Sequence, residues 1–423
     1  MNSNRIITNL DNPEELEKYY REQRRAFTTE FFQAYPLIAQ EKIAGYWKYR
    51  IEYDAPGRAL EKSTRFERKD VLMLIVSCAL ASFLIKLPDI LNINLQSFSF
   101  YEKNAALIVL LGLSVYTLLT KEAPKTKHLL IALGGFVGSA IYMNLLPSSP
   151  DSHSIILAYI HLPLVLWCLF GLIVIDFDFR NKARRMDFIR YNGDLAVLGA
   201  LILIAGMALA MVTLGLFMAI DIEIENFYMN YVGIWGLVSA PVLTAFIIRN
   251  FPAITHRIAP VIASIFSPLV LITLVIYLVS IPLAGKDPYN DRDFLLIFNL
   301  MLLGVMAIIV FSVSETSLGS KQQFHKMILF ALVAVTLIID AVALSAILYR
   351  LGEYGLTPNR AAVLGSNLLI FGNLIMIMID LYKVNVKNRD ISLVETTISG
   401  YLPIYVAWVV IVAFGFPFLF GFR

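Results

Sequence analysis

The feature that most constrains this chain is an apolar run of about 20 residues, the length that an α-helix needs to cross a bilayer. Such runs recur eleven times after residue 70 of the 423-residue chain. We expect spans at 71–90, 104–120, 128–147, 154–175, 195–219, 228–248, 261–283, 294–313, 327–350, 358–381 and 401–420. The short connections leave no room for a soluble domain between them. The sequence therefore predicts an all-α, polytopic transmembrane helix bundle of about eleven spans.

Charged residues divide the chain into two parts. Twenty-five of the first 70 residues are charged, against 42 of the remaining 353. We therefore expect a polar, amphipathic N-terminal segment over 1–70 and a transmembrane helical domain over 71–423. This composition excludes a soluble enzyme, a nucleic-acid binder and a disordered chain, and it makes membrane lipid the expected partner.

The N-terminal segment carries an apolar stripe at helical spacing, formed by Leu16, Tyr20, Phe27 and Phe31, and Pro36 is expected to end it. In one interpretation the stripe lies on the membrane surface or docks a protein partner. In the other, the helices of this segment pack against the protein's own loops. The sequence leaves both open.

Lysine and arginine residues predict the orientation. With the N-terminus in the cytoplasm, the inside loops carry fifteen Lys and Arg, whereas the outside loops carry four. Because short cytoplasmic loops are enriched in these residues, we expect the N-terminus inside and the C-terminus outside.

Standard catalytic motifs are absent from the sequence, including GxxxxGK[ST], HExxH, GxSxG and paired CxxC. We expect no catalytic residue, no metal, no cofactor and no enzymatic activity. His161, inside the fourth span, is a candidate for a transport role, although such a histidine is more often a hydrogen-bonded structural group. Asp176-Phe177-Asp178 resembles a metal-binding pair of aspartates, but the basic residues beside it favour an ion-paired loop.

Two glycines in the third expected span, Gly134 and Gly138, are one helical turn apart. This spacing allows close contact with another helix, either within the bundle or between subunits. The oligomeric state stays open.

The most informative stretch is 338–370, which begins with Asp340 near the middle of an expected span. A charge at that depth costs about 2.5–3.5 kcal/mol, so Asp340 should be paired, solvated or protonated. Further along, Gly355 suits a helix C-cap, Thr357 an N-cap and Pro358 the first position of the next helix. We therefore expect a tight hairpin that faces outward.

Four polar residues of this hairpin have two interpretations. Arg350 and Glu353 are three residues apart, Arg360 lies in the first turn of the next helix, and Asn367 lies on the same face about 10 Å deeper. They form either a polar track into the membrane or a clamp in which Glu353 bridges the two arginines.

A family resemblance starts at the same hairpin. YRLGEYGLTPNR at 349–360, with FYEKNAALIVLLGLSVY at 100–116, HLPLVLW at 161–167 and DRDFLLIFNLMLL at 291–303, resembles the bacterial membrane-protein family known as domain of unknown function 4153. The resemblance implies a multi-pass protein of the bacterial cytoplasmic (inner) membrane. It implies no substrate, reaction or cofactor.

Two function classes remain at this stage. The number of spans, Asp340 and the Arg360–Asn367 track favour a permease-like or ion-coupled transporter. The sparse intramembrane charge and the amphipathic N-terminal segment favour a non-transporting scaffold, sensor or assembly subunit.

Overall fold

The computed structural model of the protein describes residues 5–22, 24–54, 68–91, 99–121, 125–147, 151–218, 223–251, 267–276, 278–279, 289, 292–316 and 323–422. All regular elements in these ranges are helical. The chain forms two compact units, Met1–Glu67 and Arg68–Arg423.

Four helices build the first unit around its own aromatic core. They are α1 (Arg5–Thr8), α2 (Pro13–Glu22), α3 (Arg24–Ile38) and α4 (Lys42–Asp54). Leu16, Tyr20, Phe27 and Phe31 are all buried in this core, and the Phe27 ring lies 4.8 Å from that of Trp47 on α4. The stripe is therefore covered by the helices of its own unit.

One expectation for this unit is wrong. Helix α3 continues through Pro36 to Ile38 instead of ending at the proline. A proline in the interior of a helix prevents only one backbone hydrogen bond and crowds the preceding turn, and here it lies within the last turn, where the chain leaves the helix anyway.

The second unit consists of long apolar helices. They are α5 (Arg68–Ile85), α6 (Leu87–Leu91), α7 (Phe100–Leu119), α8 (Thr126–Leu145), α9 (His153–Val174), α10 (Lys182–Met218), α11 (Glu225–Asn250), α12 (Ser267–Ile276), α13 (Arg292–Thr316), α14 (Gln323–Tyr354), α15 (Pro358–Val386) and α16 (Ser392–Leu419). Helices α11 and α16 each contain one turn of π-helix.

Eight helices of the described ranges are long and apolar enough to cross a membrane: α7, α8, α9, the Lys182–Met211 part of α10, α11, the Lys326–Tyr354 part of α14, α15 and α16. They indicate a multi-pass membrane protein. Three further spans remain predictions. The first coincides with α5, whose first turn contains Arg68, Lys69 and Asp70. The second, 261–283, lies partly outside the described residues, and the third coincides with α13.

The predicted hairpin between α14 and α15 is present in its local details. Gly355 follows the end of α14 with φ of +70°, a value that suits glycine because it has no Cβ. The Thr357 hydroxyl then accepts a hydrogen bond from the Arg360 backbone N–H at 3.4 Å, and Pro358 takes the first position of α15. Local capping rules thus define this turn.

The glycine pair on α8 does not make the contact within the bundle that its spacing allows. A Cβ atom at Gly134 or Gly138 would meet no atom of the described residues within 4 Å. The neighbouring Gly135 faces the bundle instead, where its Cβ would lie 2.5 Å from Leu169 Cδ2. Contact between subunits stays a prediction.

Candidate functional site around Asp340

The candidate site is centred on Asp340, which lies on α14 and is 0% exposed. Neither carboxyl oxygen has a hydrogen-bond partner among the described residues, and no described cation lies within 4 Å of it. The Thr336 hydroxyl, one turn earlier, donates to the Leu332 carbonyl at 2.6 Å and so does not satisfy the aspartate. A buried carboxyl group with no partner is costly to maintain, which makes a functional role the default hypothesis.

One polar side chain of α16, Tyr405, lies within electrostatic range of this carboxyl group but makes no hydrogen bond with it. The Asn373 amide of α15 donates to the Tyr405 hydroxyl at 3.1 Å, and its own oxygen, also buried, has no partner in the described part of the chain. Asp340 and the Asn373–Tyr405 pair thus contain three buried side-chain oxygen atoms that have no partner among the described residues.

The Asn373–Tyr405 pair belongs to a longer set of hydrogen bonds, which we call the polar ladder. The ladder joins α15 to α16 through Trp408 Nε1 to Ser366 Oγ at 3.0 Å, Asn373 Nδ2 to Tyr405 Oη at 3.1 Å, and Thr397 Oγ1 to Asp380 Oδ2 at 2.5 Å. Its residues on α15 are seven positions apart, which is about 10.5 Å along the helix axis. Polar contacts thus recur along this helix pair, and Tyr405 of the middle contact lies within electrostatic range of Asp340.

Charged groups cover the end of the ladder that is remote from the hairpin. Lys383 Nζ donates to Asp380 Oδ1 at 2.8 Å. Arg190 of α10 donates to Glu395 of α16 at 2.5 Å and to the Ser314 carbonyl of α13 at 3.2 Å. Because Glu395 and Asp380 are both largely buried, these contacts tie α10, α13, α15 and α16 together at one end of the bundle.

The clamp predicted at the hairpin is wrong. Glu353 is exposed and lies beyond 4 Å of any described cation. Arg360 instead donates to the carbonyl groups of Tyr354 and Gly355 at 2.6 and 2.7 Å. The guanidinium groups of Arg350 and Arg360 both lie over the Tyr354 ring, at 5.8 and 5.4 Å. Free carbonyl groups at a helix C-terminus attract a cation as effectively as an exposed carboxylate does.

The Arg360–Asn367 track is also not continuous. Arg360 is engaged at the hairpin, whereas Asn367 is buried and donates to Asn299 of α13 at 2.7 Å. His161 is separate from both, because its Nδ1 is 2.8 Å from the Leu157 carbonyl of its own helix. That bond fits the structural interpretation of His161.

Sequence reasoning missed Asn373, Asp380 and Tyr405. The spacing of seven between Ser366, Asn373 and Asp380 was a readable signal, since residues seven apart share one face of a helix. Their partners on α16 could not be identified without knowing which helix covers that face. Among the described residues no three His, Cys, Asp or Glu side chains converge to hold a metal ion.

No family model, curated protein or solved structure matches this chain. The resemblance to the 4153 family therefore stays a prediction, and the function is argued from the residues.

Proposed function

We propose that the protein is a proton-coupled, permease-like transporter in which Asp340 takes up and releases the proton. The single observation that carries the proposal is the burial of this carboxyl group with no hydrogen-bond or ionic partner among the described residues. A structural aspartate inside a membrane is normally held by donors from a neighbouring helix. In this proposal Asp340 is neutral in the conformation described, and proton release requires water or a cation to reach it.

The polar ladder gives this site a route to one end of the bundle. Separating α15 from α16 would expose the polar groups of the ladder at three depths. Water could then enter the gap between the two helices, because these groups would form hydrogen bonds with it. The ion pairs at Asp380 and Glu395 would break and re-form as that end opens and closes. Coupling by alternating access needs such a two-state element.

The experiment that tests the proposal uses the full chain in proteoliposomes with a trapped pH-sensitive dye. An imposed potassium diffusion potential drives protons, and Asp340→Asn keeps the shape and hydrogen-bonding capacity of the side chain but cannot carry a proton. We expect the internal pH to change faster in wild-type vesicles than in protein-free vesicles, and Asp340→Asn vesicles to match the protein-free ones.

The matched control is Asp70→Asn, which removes another buried carboxylate that pairs with Arg249 at 3.3 Å, away from the polar ladder. It should keep the wild-type proton flux. A wild-type rate equal to that of protein-free vesicles, or full flux in Asp340→Asn, would contradict the proposal.

A second candidate function is a non-transporting scaffold, sensor or assembly subunit. The observation that favours it is the N-terminal unit, which has its own core yet exposes large apolar side chains, with Leu37 79% and Tyr49 74% exposed. Such side chains suit a protein partner. In that case Asp340→Asn leaves proton flux at the wild-type level, and Leu37→Ser with Tyr49→Ser releases a partner that co-purifies with the wild type.

A further inference from the structure

Four membrane spans end around a cavity of about 440 Å³ that is separate from the Asp340 site. Lys121 follows the end of α7, Lys125 and His128 begin α8, Asp176 and Asp178 follow α9, and Arg184 lies in the first turns of α10. Because α7 ends where α8 begins, and α9 ends where α10 begins, the cavity lies at the boundary of the membrane. Lipid phosphate groups are found at that depth.

The two aspartates of the cavity are already occupied. Asp176 pairs with Lys121, and Arg184 lies 3.6 Å from Asp176 and 3.5 Å from Asp178. Lys121 also donates to the Ile173 carbonyl at 2.5 Å, and Arg184 to the Ile175 carbonyl at 3.2 Å. The loop is thus ion-paired, as its basic neighbours predicted. Since both carboxylates are held by fixed cations, they are poorly placed to act as ligands of a divalent metal ion.

Two further polar side chains of the cavity make no ion pair with its aspartates. Lys125 is exposed and has no hydrogen bond or ion pair from its side chain to any described residue. His128 packs its ring against Phe177, with the ring centroids 4.5 Å apart, which leaves the ring nitrogen atoms without a partner in the described ranges. With three cations against two carboxylates, the cavity carries a net positive charge before His128 is counted.

Two residues of the loop between α9 and α10 have an unusual backbone conformation. Asp176 and Phe177 have φ of 56° and 59°, a left-handed conformation that bulky side chains rarely adopt. Lys121 and Arg184 hold the Asp176 carboxylate, and the Phe177 ring lines the cavity with Leu118 and Ile173. The cavity therefore offers a positive polar side and an apolar side.

We propose that this cavity binds a phosphate group, with Lys125 and His128 as the groups that contact it, while Asp176 and Asp178 are kept from repelling it by their ion pairs with Lys121 and Arg184. A phosphate group fits because it accepts several hydrogen bonds from separate cationic donors. Its source is either the headgroup of an anionic lipid, whose glycerol and acyl carbons would cover Phe177 and Leu118, or a soluble phosphate compound. Basic pockets between spans commonly take lipid headgroups.

The test measures binding to the purified full chain in detergent by native mass spectrometry. One arm adds phosphatidylglycerol and a second adds inorganic phosphate, with phosphatidylcholine as the baseline. Lys125→Ala should weaken binding about fivefold, which is the contribution expected of one basic side chain near a membrane surface. Lys125→Ala with His128→Gln should weaken it further.

Lys127→Ala is the matched control, because Lys127 is also an exposed lysine, two residues away, and does not line the cavity. It should keep wild-type binding. Variant-sensitive binding of phosphatidylglycerol assigns the cavity to a lipid headgroup, and variant-sensitive binding of inorganic phosphate assigns it to a soluble compound. The proposal is overturned if neither ligand binds, or if the double variant binds both as well as the Lys127→Ala control does.

Discussion

At the scale of single residues, two glutamates at opposite ends of the bundle differ in what surrounds them. Glu353 is exposed at the hairpin with no cation of the described residues within 4 Å, whereas the Glu395 side chain is 14% exposed and lies 2.5 Å from Arg190. Removing one partner of a buried ion pair costs more than the pair itself contributes, although Arg190 would keep its ion pair with the exposed Asp187 at 3.3 Å. Exposed charges contribute little.

We therefore predict that Glu395→Gln lowers the free energy of unfolding by about 1–3 kcal/mol, whereas Glu353→Gln changes it by less than about 0.5 kcal/mol. Both substitutions are the same chemical change, so each serves as the control for the other. Chemical unfolding in detergent micelles measures the two values. Equal effects of the two substitutions would show that the Arg190–Glu395 contact contributes nothing.

The carboxylate of Asp390, in the loop before α16, forms a hydrogen bond with the backbone at the start of that helix. Its Oδ1 accepts the Ser392 backbone N–H at 2.8 Å. Hydrogen bonding to Ser392 lowers the pKa of the Asp390 carboxyl group below its usual value, and Lys326 adds a smaller effect in the same direction. A carboxyl group with a lowered folded-state pKa stabilises the fold above its unfolded-state pKa, and it loses this contribution as the pH falls through the folded-state value.

We predict that Asp390→Asn is less stable than the wild type at neutral pH and that the gap closes below about pH 4, where the unfolded-state carboxyl group takes up its proton. Thermal unfolding of both proteins from pH 7 to pH 3 measures the gap. Asp151→Asn, which alters an exposed aspartate before α9, is the comparison. A gap that stays constant over the whole range would mean that the charge of Asp390 is not involved.

At the scale of elements, the contact between α15 and α16 depends on small residues as well as on the polar ladder. A Cβ atom at Gly365 would lie 2.0 Å from Trp408 Cζ2, a distance that no packed pair of atoms can keep. The Trp408 ring also donates the hydrogen bond of the ladder that lies nearest the hairpin, to Ser366. The absence of a side chain at Gly365 therefore permits both the close approach and that hydrogen bond.

Gly365→Ala should destabilise the protein by about 1–3 kcal/mol, because Trp408 must move and cannot keep its bond to Ser366. Gly134→Ala, the same change in open space on α8, should be neutral or slightly stabilising, since alanine favours a helix. Thermal unfolding gives the stabilities, and tryptophan fluorescence reports any movement of Trp408. A Gly365→Ala variant with wild-type stability and an unchanged emission spectrum would argue against this packing.

At the scale of the whole molecule, the alternation of basic residues along the chain predicts one orientation in the membrane. Lys127 lies in the first turn of α8 and Glu353 at the α14–α15 hairpin, and both side chains are exposed. With the N-terminus in the cytoplasm, these two positions lie on opposite sides of the bilayer.

In a background without Cys78 and Cys168, a membrane-impermeant maleimide added to intact cells should label Glu353→Cys and spare Lys127→Cys. Permeabilised cells should allow labelling of both. The orientation is wrong if Lys127→Cys is the position labelled from outside, and the span count is wrong if both react in intact cells.

The sequence alone determined the helical membrane class, most of the long helices and the local chemistry of the α14–α15 turn. These features follow from rules that act within a few residues, such as apolar length, helix caps and glycine at positive φ, so no knowledge of distant neighbours is needed. The position of Asp340 near the middle of one apolar run was read in the same way, whereas its burial between helices was not.

Only the tertiary structure decided which side chains meet. It joined Asn373 to Tyr405 and Glu395 to Arg190, turned Gly135 rather than Gly134 toward the bundle, and covered the N-terminal stripe with its own unit. Contacts between helices depend on how each helix is rotated about its axis and on which neighbour covers each face, and both are set by packing over the whole bundle. A polar residue in an apolar span shows that a partner or a function is needed, but its partner is chosen by residues far away in the chain.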